Sequence, residues 1–127
     1  MIPTILHAGL FNYNNVGSDS NLNLLKQEIL ENTTKFPNSS FSNVGCWRGT
    51  QKLHNIKFLL EVIETSVKEQ FDYYAEIDNS FSRYCKQQFD IHYWANVNSI
   101  GSRNVMHAHK PVILSGVYYI QGDGTGD

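Results

Sequence analysis

The chain has 127 residues, a length typical of one domain, and 41% of them are hydrophobic while 17% are charged. Ten basic and twelve acidic side chains give a net charge of −2. A duplex-binding protein needs a basic face to displace counterions, so nucleic acid is not an expected partner. The sequence has no apolar run long enough to span a bilayer, no visible signal peptide and only two cysteines. We therefore expect a cytoplasmic protein with no membrane partner.

Residues 1–88 are expected to form a mainly helical part. The segment 3–8 is partly apolar and indicates an edge strand or a lead-in segment. Ser18, Asp19 and Ser20 are candidate N-caps of that helix. Its predicted buried face carries apolar residues at spacings of three and four, which are Leu22, Leu25 and Ile29.

A second helix is predicted from about Gln51 to Tyr74, with Thr50 as a possible cap. The strongest helical period in the chain supports it, through Leu53, Ile56, Leu60, Ile63 and Val67. Ser80 is expected to cap a shorter helix that runs to about Gln87.

Residues 89–127 are expected to contain the core strands. From Phe89 to Asn98 apolar and polar residues alternate, which predicts a strand with one buried face. The segment 99–102 is predicted to turn, and 112–120, rich in β-branched and aromatic residues, to form a second strand. The residues 122–127 are polar and turn-like. The pattern indicates an α+β fold in a single domain, 1–127.

The histidine pair His107 and His109 is the first candidate site. Two histidines at i and i+2 on a strand face the same side, so both imidazoles can reach one metal ion. Alternatively, they lie in a polar loop and bind nothing. A third ligand is needed, and among the candidates His7 and His54 are better explained as surface or packing residues. The full set of candidates is His7, His54, Asp90, His92, Asp123 and Asp127.

Trp94 and Asn96 lie one pleat apart on the polar face of the predicted 89–98 strand. They can form a pocket floor with a hydrogen-bonding group; alternatively, Trp94 packs under a helix and Asn96 caps a turn. Tyr118 and Tyr119 are successive strand residues, so at most one of them points into a given cavity.

Several of these motifs together resemble a family of 2-oxoglutarate- and Fe(II)-dependent oxygenases common in marine phages and bacteria. The resemblance is specific from residue 94 to residue 127 and loose from residue 45 to residue 93. Upstream, Gly45–Gly49 is similar to the family's G-G-W-x-S segment, from which Cys46 and Gly49 depart. The specific motifs are Trp94-Ala95-Asn96, Gly101, Asn104, His107-Ala108-His109, Pro111 and Ser115-Gly116-Val117-Tyr118-Tyr119.

The resemblance implies a double-stranded β-helix (jelly roll) with N-terminal helices packed on the sheet. It also implies Fe(II) as cofactor and 2-oxoglutarate as cosubstrate. His107 is then the first metal ligand, and His109 stands where the family usually has a carboxylate. Asn96 is the implied 2-oxoglutarate contact, with Tyr119 or Tyr118 as another.

The family's distal histidine, and the arginine that pairs with the far carboxylate of 2-oxoglutarate, lie further along the fold than Asp127. We therefore expect an incomplete jelly roll, the N-terminal part of a dioxygenase of the hydroxylase type, inactive alone. Its substrate is a small molecule or a protein that the residues do not specify. If phage-encoded, it would act in the host cytoplasm.

The alternative is a non-catalytic β-module that binds a metal or a protein partner. Because half a barrel leaves an open apolar edge on the 112–120 strand, we also expect a homo-oligomer through that edge or through the exposed face of the sheet.

Overall fold

The computed structural model describes residues 12–39, 41–109 and 112–122. Within them the fold is α+β, which confirms the predicted class. Two helices, α1 (Asp19–Lys35) and α2 (Lys57–Ile77), accompany an antiparallel pair of strands, β1 (Asn43–Gly49) and β2 (Ala95–Asn104). A 3-10 helix (Asn79–Arg83) follows α2. The predictions for residues 3–8 and for the chain beyond Gly122 lie outside the described residues.

Helix α1 begins where the sequence predicts. The Ser18 hydroxyl accepts a hydrogen bond from the Asn21 amide, which satisfies one of the amides that have no partner within the helix. Leu25 and Ile29 are buried on the inner face, and the helix ends at Lys35, just before Pro37. Both the cap and the apolar face are therefore confirmed.

Helix α2 begins at Lys57, later than predicted, and Thr50 does not cap it. Leu53 and Ile56 fit the helical period and are buried, but they lie in the turn before the helix. This turn is held from α1, because the Glu28 carboxylate accepts hydrogen bonds from the backbone amides of His54 and Asn55 at 2.6 and 2.9 Å.

The helix predicted after Ser80 is the 3-10 helix, which ends at Arg83 rather than near Gln87. The Asp78 side chain, not that of Ser80, caps it by accepting a hydrogen bond from the Ser80 amide. Aromatic rings join it to α2, since Phe81 stacks on Tyr74 with ring centres 5.4 Å apart.

The alternating burial predicted for residues 89–98 is confirmed, although the regular strand begins only at Ala95. Odd-numbered residues are buried or half-buried, and even-numbered ones are exposed. β2 pairs with β1, a strand that the sequence did not predict, and Arg48 lies opposite Asn96.

The predicted turn at 99–102 is wrong, since β2 continues through it. The register slips, however, so that these four residues lie opposite Gly45 alone. Gly45 and Gly101 both have a positive φ, of 75° and 81°, a backbone conformation that glycine adopts without strain. An irregularity in the pairing of β1 with β2 is therefore found where the turn was predicted.

The strand predicted over 112–120 is also wrong. Residues 112–122 contain no strand, and the described sheet has two strands only. Residues 112–117 are exposed, and β-branched residues favour a strand mainly when they pack against neighbouring strands, which these residues do not have in the described part of the chain. The homo-oligomer predicted through the edge of this strand loses its stated basis and stays a prediction.

The core lies between α1, the turn before α2 and the inner face of the sheet. Leu25, Ile29 and Leu59 meet Ala95 there, and Tyr93 accepts a hydrogen bond from the Leu53 amide at 3.2 Å. Tyr118 and Ile120 pack against its margin. The outer face of β2, with Trp94 just before it, is left free for a site. Among the described helices, none combines the length and apolar character needed to cross a bilayer.

Candidate metal centre

His107 and His109 follow the end of β2 and lie in irregular chain rather than on a strand. The strand placement of the pair is therefore wrong and the alternative placement in a loop is confirmed, but the two imidazoles converge. Their Nε2 atoms are 3.2 Å apart, and the ring centres 4.7 Å. Both residues are exposed, so an ion can reach them from solvent.

The His107 ring is oriented by its own backbone. Its Nδ1 lies 2.7 Å from the Val105 carbonyl oxygen, and because a carbonyl only accepts, Nδ1 must carry the proton. In the neutral ring, the lone pair is then on Nε2, the atom that faces His109. A backbone carbonyl bound to the other ring nitrogen is the usual way in which proteins orient a metal-binding histidine.

The separation of the two nitrogens fits a shared metal ion. Two bonds of about 2.1 Å that meet at a right angle place the nitrogens about 3.0 Å apart, and a tetrahedral angle places them about 3.4 Å apart. The observed 3.2 Å lies between these values. The same distance also suits a hydrogen bond from His109 Nε2–H to the His107 lone pair, which is the alternative without a metal.

The His109 ring rests on Trp94, with ring centres 5.5 Å apart and planes 29° from parallel. Trp94 is 38% exposed on the outer face of the sheet, so it does not pack under a helix. The indole also contacts the guanidinium of Arg48, whose central carbon is 4.9 Å from the ring centre. Trp94 therefore links the histidine pair to a fixed positive charge.

Asn96 is exposed on the same outer face, two residues beyond Trp94, and does not cap a turn. Its role as a cosubstrate contact stays a prediction. The hydroxyl of Tyr118 donates to the Val16 carbonyl at 2.5 Å, its ring lies against Phe58, and burial raises its pKa. Tyr119 is 62% exposed.

The candidate third ligands are not brought to the pair in the described part of the chain. No three residues of the metal-binding types gather there. His92 and Asp90 are exposed, and His54 bonds to Glu28 through Nδ1 at 2.9 Å. His7, Asp123 and Asp127 lie outside the described residues.

Sequence reasoning missed Arg48, which it included only as one residue of the Gly45–Gly49 segment. Its contact with Trp94 joins two strands that are distant in the chain, and no local pattern marks such a pair. Comparisons of the chain with family models, curated proteins and solved structures found no match.

Proposed function

We propose that His107 and His109 are two ligands of an Fe(II) centre in a 2-oxoglutarate-dependent dioxygenase. The observation that carries this proposal is the convergence of the two Nε2 atoms at 3.2 Å, with the His107 tautomer set by the Val105 carbonyl. The motif resemblance described above supplies the reaction class. β1 and β2 are then the first strands of a jelly roll.

When bound, the iron would supply hydroxylation of a C–H bond by O2, coupled to decarboxylation of 2-oxoglutarate to succinate and CO2; one oxygen atom of O2 would enter the new hydroxyl group and the other the succinate. The chain's own residues hold and orient the ligands. The Val105 carbonyl keeps the His107 proton on Nδ1, and Trp94 holds the His109 ring by stacking. For both imidazoles to bind one ion, His109 must carry its own proton on Nδ1. Binding then replaces the hydrogen bond between the two rings.

Anaerobic titration with Fe(II) tests the metal centre. We expect the wild type to bind one ion, and His107→Ala and His109→Ala each to lose most of the affinity, because one imidazole cannot chelate. His54→Ala is the matched control, since His54 is an exposed histidine that bonds only to Glu28 among the described residues. Undiminished iron binding by His107→Ala would refute the proposal.

A second candidate is a non-catalytic metal-binding module. It is favoured by the presence of only two converging ligands in the described residues and by their exposure. Succinate release from 2-oxoglutarate separates the two functions. Iron binding without succinate, in a protein extended to include a distal histidine, would favour the module.

A further inference from the structure

The guanidinium of Arg48 is held in place without a carboxylate partner in the described part of the chain. Nη1 contacts the Ser39 hydroxyl at 3.3 Å and the Ser39 carbonyl at 3.5 Å. The aromatic rings of Trp94 and Phe41 lie 4.9 and 6.0 Å from the central carbon. The backbone is also fixed, because the Arg48 amide donates to Asn38 Oδ1 at 2.9 Å. The positive charge is therefore held in position before any ligand binds, and the guanidinium has further N–H groups that can donate to one.

This charge lies beside the candidate metal centre. The Trp94 ring centre lies 4.9 Å from the central carbon of the Arg48 guanidinium and 5.5 Å from the His109 ring centre. The guanidinium carbon and the His109 ring centre are therefore at most about 10 Å apart. The strand register also places Arg48 opposite Asn96 on the outer face. One small molecule can therefore reach both the histidines and the guanidinium.

The charge balance favours an anionic ligand. Both imidazoles are neutral ligands, so a divalent ion at the pair, together with Arg48, carries three positive charges. Among the described residues, no carboxylate forms an ion pair with Arg48, and none joins the two histidines in a group that could hold a metal ion. A guanidinium binds carboxylate or phosphate through paired hydrogen bonds and stays charged at any physiological pH.

We propose that Arg48 binds an oxyanion, a carboxylate or phosphate group, of the small molecule that the His107–His109 centre takes. This inference rests on the proposed metal centre. It concerns a different residue from the arginine that the resemblance implies, because that arginine follows the metal-binding histidines in the family's chain order, whereas Arg48 is in a strand that precedes both histidines. The oxyanion belongs either to the cosubstrate or to the substrate.

Two 2-oxo acids test the inference on the Ni²⁺-loaded protein, with binding followed by calorimetry. 2-Oxoglutarate and 2-oxobutyrate share the group that chelates the metal, but only the first has a second carboxylate. If Arg48 binds that carboxylate, the wild type prefers 2-oxoglutarate by about 10- to 100-fold, the range expected for a charge-assisted hydrogen bond. Arg48→Gln then abolishes the preference without changing Ni²⁺ affinity, and Arg48→Lys restores part of it.

Arg83→Gln is the control, because the Arg83 guanidinium also lies over an aromatic ring, 4.7 Å from the centre of Tyr84. It should bind both acids as the wild type does. Circular dichroism should show that all variants remain folded.

Inorganic phosphate, titrated against protein without metal, distinguishes the two sources of the oxyanion. Phosphate binding that Arg48→Gln abolishes, with no preference between the two acids, supports the inference and assigns the oxyanion to the substrate. If Arg48→Gln changes neither the acid preference nor phosphate binding, the inference is overturned while the metal centre stands. Failure of the wild type to bind Ni²⁺ overturns the metal centre and this inference with it.

Discussion

Replacing Glu28 by glutamine should lower the free energy of unfolding at pH 7 by up to about 3 kcal/mol. The carboxylate is 13% exposed and joins α1 to the turn before α2. It accepts four hydrogen bonds at 2.6–3.0 Å, two each from His54 and Asn55. The side-chain amide of glutamine has only one acceptor oxygen. Its NH2 group, itself a donor, would face N–H groups of His54 or Asn55 in place of the second carboxylate oxygen.

The magnitude follows from the pKa of Glu28. Burial by itself would raise this pKa, but the hydrogen bonds from His54 and Asn55 lower it from 4.5 to about 2. That difference corresponds to about 3 kcal/mol between the ionised and protonated forms. Because the folded-state pKa is the lower one, the stabilisation is fully present above pH 4.5. It is lost as the pH falls from 4.5 towards 2.

Urea unfolding at a series of pH values measures this contribution. The wild type should lose stability as the pH falls from 4.5 to 2, and Glu28→Gln should lose much less over the same range. Glu31→Gln is the matched control, because Glu31 lies on the same helix but is 65% exposed in an ion pair with Lys35, worth at most about 0.5 kcal/mol. Equal urea midpoints for Glu28→Gln and Glu31→Gln at pH 7 would refute the reasoning.

Two further substitutions test packing and the tyrosine assignment. A Cβ atom at Gly49 would lie 2.0 Å from the Trp47 ring, so Gly49→Ala should lower the free energy of unfolding in urea by about 1–3 kcal/mol. Gly116→Ala is the control, because a Cβ atom there meets open space, and it should change this free energy by less than about 0.5 kcal/mol. Equal effects would contradict the packing. Tyr118→Phe should cost about 1 kcal/mol by leaving the Val16 carbonyl unpaired; unchanged stability with weaker 2-oxoglutarate binding would instead assign Tyr118 to the cosubstrate.

Local signals in the sequence predicted the features that depend on neighbouring residues. The Ser18 cap and the burial of Leu25 and Ile29 follow from spacings within one helix. The exposure of Trp94 and Asn96 follows from alternation within one segment. Such patterns operate over a few residues, and the sequence displays them directly.

The errors come from contacts between distant segments. α2 begins late because Glu28, on α1, holds the preceding turn in another conformation. β1 is a strand because it pairs with β2, and no pattern within its own residues predicted it. Residues 112–120 are irregular although they are rich in β-branched residues. At the site, the H-x-H spacing predicted the convergence of the two imidazoles, but not the Arg48–Trp94–His109 contacts.

The bond from the Tyr118 hydroxyl to the Val16 carbonyl joins residues 102 positions apart. During synthesis, Val16 leaves the ribosome long before Tyr118 has been added to the chain. The loop before α1 can therefore form this contact only after nearly the whole described chain has been synthesised. Folding of the N-terminal loop on the ribosome should accordingly be completed late, and nascent chains that stop before Tyr118 should be cleaved more readily by proteases near Val16.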